Sequence, residues 1–194
     1  MSRIQRRAVA GLVIGMIMAG GAHAAEANRR GGLLLNADLD YGGDDIATVA
    51  FVGGGSQDVK AGQGVAVAIG GWFRPVASSP FEIQAMVGYK YVTTAADNAD
   101  IKVTRTTLSV NGIYRFTNGW YVGGGVLRHM SPKLDGDGFF EDVKFDDATG
   151  FNAEFGWKWV GLRVAKLDYS ASGYSDADAG SIGVRFTWRQ GAGN

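Results

Sequence analysis

The 194-residue chain contains no cysteine. Disulfides, thiolate nucleophiles and thiolate metal sites are therefore excluded. Proline occurs three times and histidine twice, at His23 and His129. Imidazole chemistry thus has at most two places to occur. Beyond residue 24 no apolar run approaches 18 residues, so no membrane-crossing helix is expected. Nor does one sign of charge dominate. The chain has 19 bases and 19 acids, without the basic excess that binding nucleic acid requires.

What the chain does have is glycine, 31 residues of it, mixed with aromatics and free of low-complexity runs. That composition suits many short strands and turns. The first 24 residues stand apart. Arg3, Arg6 and Arg7 precede an apolar core at 8–21, and Ala22-His23-Ala24 forms a small-x-small cleavage site. This is the pattern of a secretory signal peptide over 1–24. Residues 25–194 form the mature domain, and His23 is lost with the leader. The mature 170 residues keep 16 bases against 19 acids, a net charge of −3.

Period-two alternation runs through the mature chain. In residues 81–91, Phe81, Ile83, Ala85, Val87, Tyr89 and Tyr91 share one face, and Glu82, Gln84 and Lys90 lie on the other. Alternation of this length marks a strand with two unlike faces. The same pattern recurs at 33–41, 64–74, 107–116, 151–159 and 181–189, and less cleanly at 120–129 and 161–169. Eight strands are expected. Residues 46–52 read as an extension or hairpin inside the first long loop. Short connections (75–80, 117–119, 160–161) alternate with long ones (42–61, 94–102, 130–148, 170–179), so an up-and-down sheet with two unlike ends is expected.

A soluble sandwich also alternates; the chemistry of the faces separates the two architectures. The polar face collects Asp38, Asp40, Glu82 and Glu154 with Arg74, Lys90, Arg105, Arg115, Lys158 and Arg185. These charges are expected to form a paired network in a narrow, filled lumen. Trp72, Phe73, Phe81, Phe116, Trp120, Trp157, Trp159 and Trp188 cluster near short turns or the C-terminus. They predict one aromatic belt, and Tyr41, Tyr89, Tyr91 and Tyr169 a second at the long-loop end. Two belts at opposite strand ends suit two membrane interfaces. The expected fold is all-β, an eight-stranded antiparallel up-and-down transmembrane β-barrel.

With its leader, eight amphipathic strands, aromatic belts and final "SIGVRFTWR" (181–189), the chain resembles the small eight-stranded outer-membrane barrels of Gram-negative bacteria, such as the OmpA transmembrane domain and OmpX. The resemblance covers nearly all of the mature chain and is architectural. It implies Sec-type export, insertion in the outer membrane as a monomer, short turns in the periplasm, and contact with outer-membrane lipid and lipopolysaccharide. It also implies recognition by the barrel-assembly machinery, usually through an aromatic residue at the C-terminus. Here Phe186 and Trp188 stand in place but "RQGAGN" follows. No cofactor and no metal are expected, and the long loops are expected to make the surface contacts.

One sharper feature remains. His129-x-Ser131, with Glu141 nearby, resembles the histidine, serine and later glutamate of the lipid A deacylases, which are also eight-stranded barrels. Three observations oppose an acyl hydrolase. Pro132 removes the backbone donor that an oxyanion hole would use. Three strands follow the motif. Parity turns His129 inward if Trp120 faces lipid. The expectation is no enzyme, with the hydrolase, or a narrow channel, as alternatives. Asp135, Asp137, Glu141, Asp142, Asp146 and Asp147 crowd the same loop with Lys133 and Lys144 but lack the spacing of a calcium loop, so a solvated loop is expected.

Overall fold

A computed structural model describes residues 29–50, 55–93, 101–136, 138, 141–173 and 175–190. The leader expected at 1–24 lies outside them, as do Asp137 and the tail from 191. Eight long strands carry the fold: β1 (Gly31–Tyr41), β2 (Gly64–Phe73), β3 (Phe81–Thr93), β4 (Lys102–Arg115), β5 (Trp120–Asp135), β6 (Ala148–Trp157), β7 (Val160–Lys166) and β8 (Ser181–Arg189). Each pairs antiparallel with the strand before it. The last then pairs with the first, from Leu34 opposite Arg189 to Tyr41 opposite Ile182. The sheet is a closed ring. Closure matters because an open edge leaves backbone groups without partners, which hydrocarbon does not tolerate.

The faces are inverted relative to a soluble protein. Leu33, Leu35, Leu39, Val65, Val67, Ile69, Val110, Phe155, Leu162, Val164 and Ile182 all point outward and are exposed. Asn36, Asp38, Asp40, Glu82, Lys90, Arg105, Asn111, Glu154, Arg163 and Arg185 are buried. Phe73, Phe81, Phe116, Trp120, Trp157, Trp159 and Trp188 are outward and exposed near the short-turn end. Trp72 departs from that expectation. It is 3% exposed and points inward, because its neighbour Phe73 holds the outward parity. Tyr169 departs likewise: it is fully buried at the long-loop end, whereas Tyr41 and Tyr89 face out.

Glycine shapes the lumen wall at one point. Gly156 and Gly161 are directly opposite each other on β6 and β7, and Tyr121 of β5 is opposite Gly156. The Tyr121 ring lies across both. A Cβ at Gly156 would come within 2.5 Å of the ring, and one at Gly161 within 2.4 Å of the hydroxyl. A buried tyrosine thus fills the space two missing side chains leave.

The β6–β7 turn is Lys158–Trp159, between the paired residues Trp157 and Val160. It falls two residues before the expected 160–161. Lys158 takes a left-handed φ of 53°, the conformation a two-residue hairpin demands and glycine usually supplies. Its ammonium lies over the outward Trp157 ring. Lys158 is therefore an exposed turn residue, not one of the lumen charges expected from parity, since the strand ends before it.

At the long-loop end the loops fold on one another. Asp45–Ala50 and Ser56–Lys60 form the hairpin expected inside the first loop. Two short strands, Asp168–Tyr169 and Ala177–Asp178, pair in the last loop, and Val143–Lys144 pairs with Lys133–Leu134. Val59, Val92, Ile101, Val103 and Leu134 form one buried apolar cluster. Ala61, Leu127, Ala148, Ala165, Leu167, Tyr169 and Ala179 form another. The Asp44 amide donates to the Asp178 carbonyl and the Asp178 amide to the Asp44 carboxylate, tying the first loop to the last. Above the band the polarity therefore reverses: Val92, Val103 and Leu134 turn inward, as in a water-soluble core.

Candidate functional site

The lumen concentrates the chain's unusual chemistry in three layers. Next to the short turns, Glu82 is fully buried at the start of β3. Its carboxylate accepts from Arg115 Nε at 3.0 Å, from Gln84 Nε2 at 2.7 Å and from Arg189 Nη2. Arg74 Nε lies 3.6 Å away. The Arg74 and Arg189 guanidiniums both lie against the Trp72 ring, at 5.2 and 4.6 Å from its centre, and Arg115 lies against Tyr121 at 4.9 Å. The Trp72 indole donates to the Gln190 carbonyl at 3.3 Å.

In the middle layer Arg185 of β8 grips Asp38 of the adjacent β1 with two bonds of 2.8 Å. The same guanidinium donates to Glu154 at 3.0 Å. Arg163 reaches toward Asp38 and Asp40 at 3.9 and 3.8 Å, ion-pair distances too long for hydrogen bonds. A cavity of about 20 Å³, lined in part by Asp38, Asp40, Arg163 and Arg185, lies here, with room for about one water molecule. Asn152 Nδ2 donates to Asn111 Oδ1 at 2.9 Å across the wall.

Toward the cap, Lys90 pairs with Asp40 at 2.7 Å and donates to the Gly62 carbonyl at 2.6 Å. Arg105 donates to the Gln63 carbonyl at 2.7 Å. The first loop thus plugs the mouth by offering backbone carbonyls to buried cations. A side chain at Gly62 would collide with the Gly180 carbonyl, so only glycine lets the two loops meet there.

His129 is 2% exposed and faces the lumen. Its Nδ1 is 2.6 Å from the Tyr169 hydroxyl. Burial pushes that phenol up to about 12. Ser131 lies on the other side of the strand. The β4–β5 register shifts between Thr104 and Thr106, and Ser131 adopts a φ of 50° with Pro132 turned inward. This is a bulge on β5. It leaves Ser131 exposed, with its N–H donating to Asp147 Oδ1 at 2.9 Å. His129 and Ser131 therefore form no diad, and Glu141 is exposed in the loop beyond. That acidic loop is stitched by bases: Lys133 pairs with Asp135 at 3.3 Å and Asp142 at 2.8 Å, and Arg128 with Asp147 at 2.9 Å. The bonds from Ser131 and Arg128 hold the Asp147 carboxyl below the usual range, and Lys133 does the same for Asp142.

Of the charges expected inside, Asp38, Asp40, Glu82, Glu154, Lys90, Arg105, Arg115 and Arg185 meet in this network, with Arg74 at its rim. Parity also assigns Arg163, which faces in between Leu162 and Val164, and Arg189, two steps of period two beyond Arg185. Arg163 escaped because β7 alternates weakly; Arg189 shares the polar face of β8 with Arg185 but sits at the strand's last position, beside the short-turn rim, and was not counted among the lumen charges. Among the described residues, seven bases and four acids occupy or rim the lumen.

No family model matches the chain, and neither does any curated protein. Among solved structures it is similar to Ail, the attachment invasion locus protein of Yersinia pestis, at 7% identity and a TM-score of 0.44, covering 82% of this chain and 98% of that one. Ail in complex with the heparin analogue sucrose octasulfate gives 7% and 0.42 over the same shares. The N-terminal β-barrel domain of Pseudomonas aeruginosa OprF gives 12% and 0.30, again over 82% and 98%.

Proposed function

We propose that this chain is a non-enzymatic outer-membrane protein whose barrel is a sealed anchor and whose folded cap meets partners outside the cell. The carrying observation is the inversion of faces, with an exposed apolar band around a charged, buried interior. Such a surface is unfavourable in water and favourable in lipid. The seal is supported by the paired charges, the small central cavity and the carbonyls laid over Lys90 and Arg105. The reading places the short turns in the periplasm after Sec-type export and the cap among lipopolysaccharide, with the barrel-assembly machinery inserting a monomer. No catalytic role is assigned to His129, whose imidazole is turned away from Ser131.

Quenching by brominated lipid tests both insertion and orientation. Single-tryptophan variants are reconstituted in vesicles. Trp120, Trp157, Trp159 and Trp188 should each be quenched, and Trp72 should not. Equal quenching of Trp72, or a mature protein that stays soluble and folded without detergent, would overturn the reading.

A further inference from the structure

We propose that the short-turn mouth of the barrel is a binding site for a phosphate-type oxyanion, with Arg74, Arg115 and Arg189 as its ligands. Three guanidiniums converge there on a single carboxylate, Glu82, leaving two positive charges without a counter-charge among the described residues. Among the described residues no other acid is positioned to supply one. Asp38 and Glu154, the nearest carboxylates deeper in the lumen, are both engaged by Arg185. The three short turns carry no acidic residue at all. Like charges held this close repel one another unless an anion joins them.

The arginines are also built as a receptor. Trp72 lies against the Arg74 and Arg189 guanidiniums, and Tyr121 braces Arg115, so all three planes are positioned before any ligand arrives. Arg74 Nε and Arg189 Nε are buried and have no hydrogen-bond partner. Their side chains remain 25% and 11% exposed, and that of Arg115 15%, so the cluster is reachable from the mouth. Forked guanidinium donors match the oxygens of phosphate in pairs. Glu82 acts as the internal competitor that keeps the empty site from flying apart. The inference concerns the mouth alone and stands whether or not the cap serves the role proposed above.

The test uses the folded mature protein in uncharged detergent micelles, with the arginine Nε–H signals followed by NMR. Inorganic phosphate should shift the signals of Arg74, Arg115 and Arg189 saturably and leave Arg163 and Arg185 unmoved, with sodium chloride at matched ionic strength having no such effect. Arg115→Gln and Arg189→Gln should each weaken the affinity about tenfold or more, the loss of one charge-assisted contact. Glu82→Gln should tighten it. A second arm replaces free phosphate with phosphatidylglycerol in the micelle. Saturation by the lipid alone identifies the oxyanion as a headgroup, and saturation by both identifies a general phosphate site. The proposal is overturned if neither ligand gives a saturable shift in the millimolar range, or if Glu82→Gln binds no more tightly while its gel mobility and far-UV spectrum remain those of the folded barrel.

Discussion

Replacing Arg185 with methionine should destabilise the barrel by about 3–5 kcal/mol, the usual cost of leaving a buried charge without its partner. The magnitude follows from its contacts. Arg185 is 4% exposed and holds two carboxylates through three bonds of 2.8–3.0 Å. At an effective dielectric near 20, each charge pair at this range contributes about 4 kcal/mol of attraction, or roughly 8 in total. Burying the guanidinium returns several kcal/mol of that. Arg163, 3.9 Å from Asp38, takes up part of the remainder when Arg185 is lost. The reverse experiment is more revealing. Arg185→Met combined with Asp38→Asn and Glu154→Gln removes all three charges together, and it should be less destabilised than Arg185→Met alone. Equilibrium urea unfolding in vesicles, read by tryptophan fluorescence, measures both. The reasoning fails if the single variant loses less than about 1 kcal/mol, or if the triple variant loses more than the single.

Three further outcomes are expected. Lys158→Gly should stabilise the barrel by about 0.5–1 kcal/mol in the same assay, because glycine accepts a φ of 53° without strain; a clear loss would mean that the contact with Trp157 outweighs the backbone. Gly156→Ala should cost about 1–3 kcal/mol, because its Cβ would come within 2.5 Å of both the Tyr121 ring and the Val160 carbonyl; a Tyr121→Ala background should relieve the first contact and lower the cost in part, and equal costs in both would assign the clash to the carbonyl alone. The loop ties of Asp147 and Asp142 should be insensitive to pH from 8 to about 5. Both carboxyls are depressed in the folded state, so their contribution is complete above the ordinary Asp value and is lost as pH falls through it toward the folded one. The hydrogen-exchange protection factor of the Ser131 amide should therefore drop only below about pH 4; a decline beginning near neutrality would assign the tie to another group.

The eight strands were legible because lipid on one side and a charged lumen on the other force a two-residue period with chemically opposite faces. What escaped had particular causes. Trp72 and Phe73 are adjacent, so only one of them can face lipid. Counting aromatics by distance from a turn hid that parity. Tyr169 was misplaced for a related reason. It lies past the end of β7, where the last loop folds inward and strand parity no longer applies. Lys158 has a strand address by parity, but the turn falls two residues earlier than the spacing suggests and takes it in. The upper parts of β4 and β5, from Lys102 and to Asp135, escaped because the pattern there changes sign, with valine and leucine turned inward and threonine and lysine outward. A reader tracking apolar-out alternation loses the strand where the membrane ends. The network itself was foreseeable residue by residue, but its partners were not, since which carboxylate meets which guanidinium depends on register across the β1–β8 seam.

That seam also governs how the chain can be built and cut. Leu34 meets Arg189, and the Gln190 amide donates to the Leu33 carbonyl, so the described ends of the barrel lie side by side at the short-turn rim. The ring therefore cannot be completed until the final strand has been made, and the slowest contacts to form should be those between the two halves separated by most of the sequence. A chain shortened by one strand would keep two raw edges rather than a smaller barrel. By contrast, a chain whose ends are joined by a short linker and reopened within a long loop keeps every rung of the ladder, so the order of the strands around the circle, and not the point at which the polypeptide starts, is what this architecture requires.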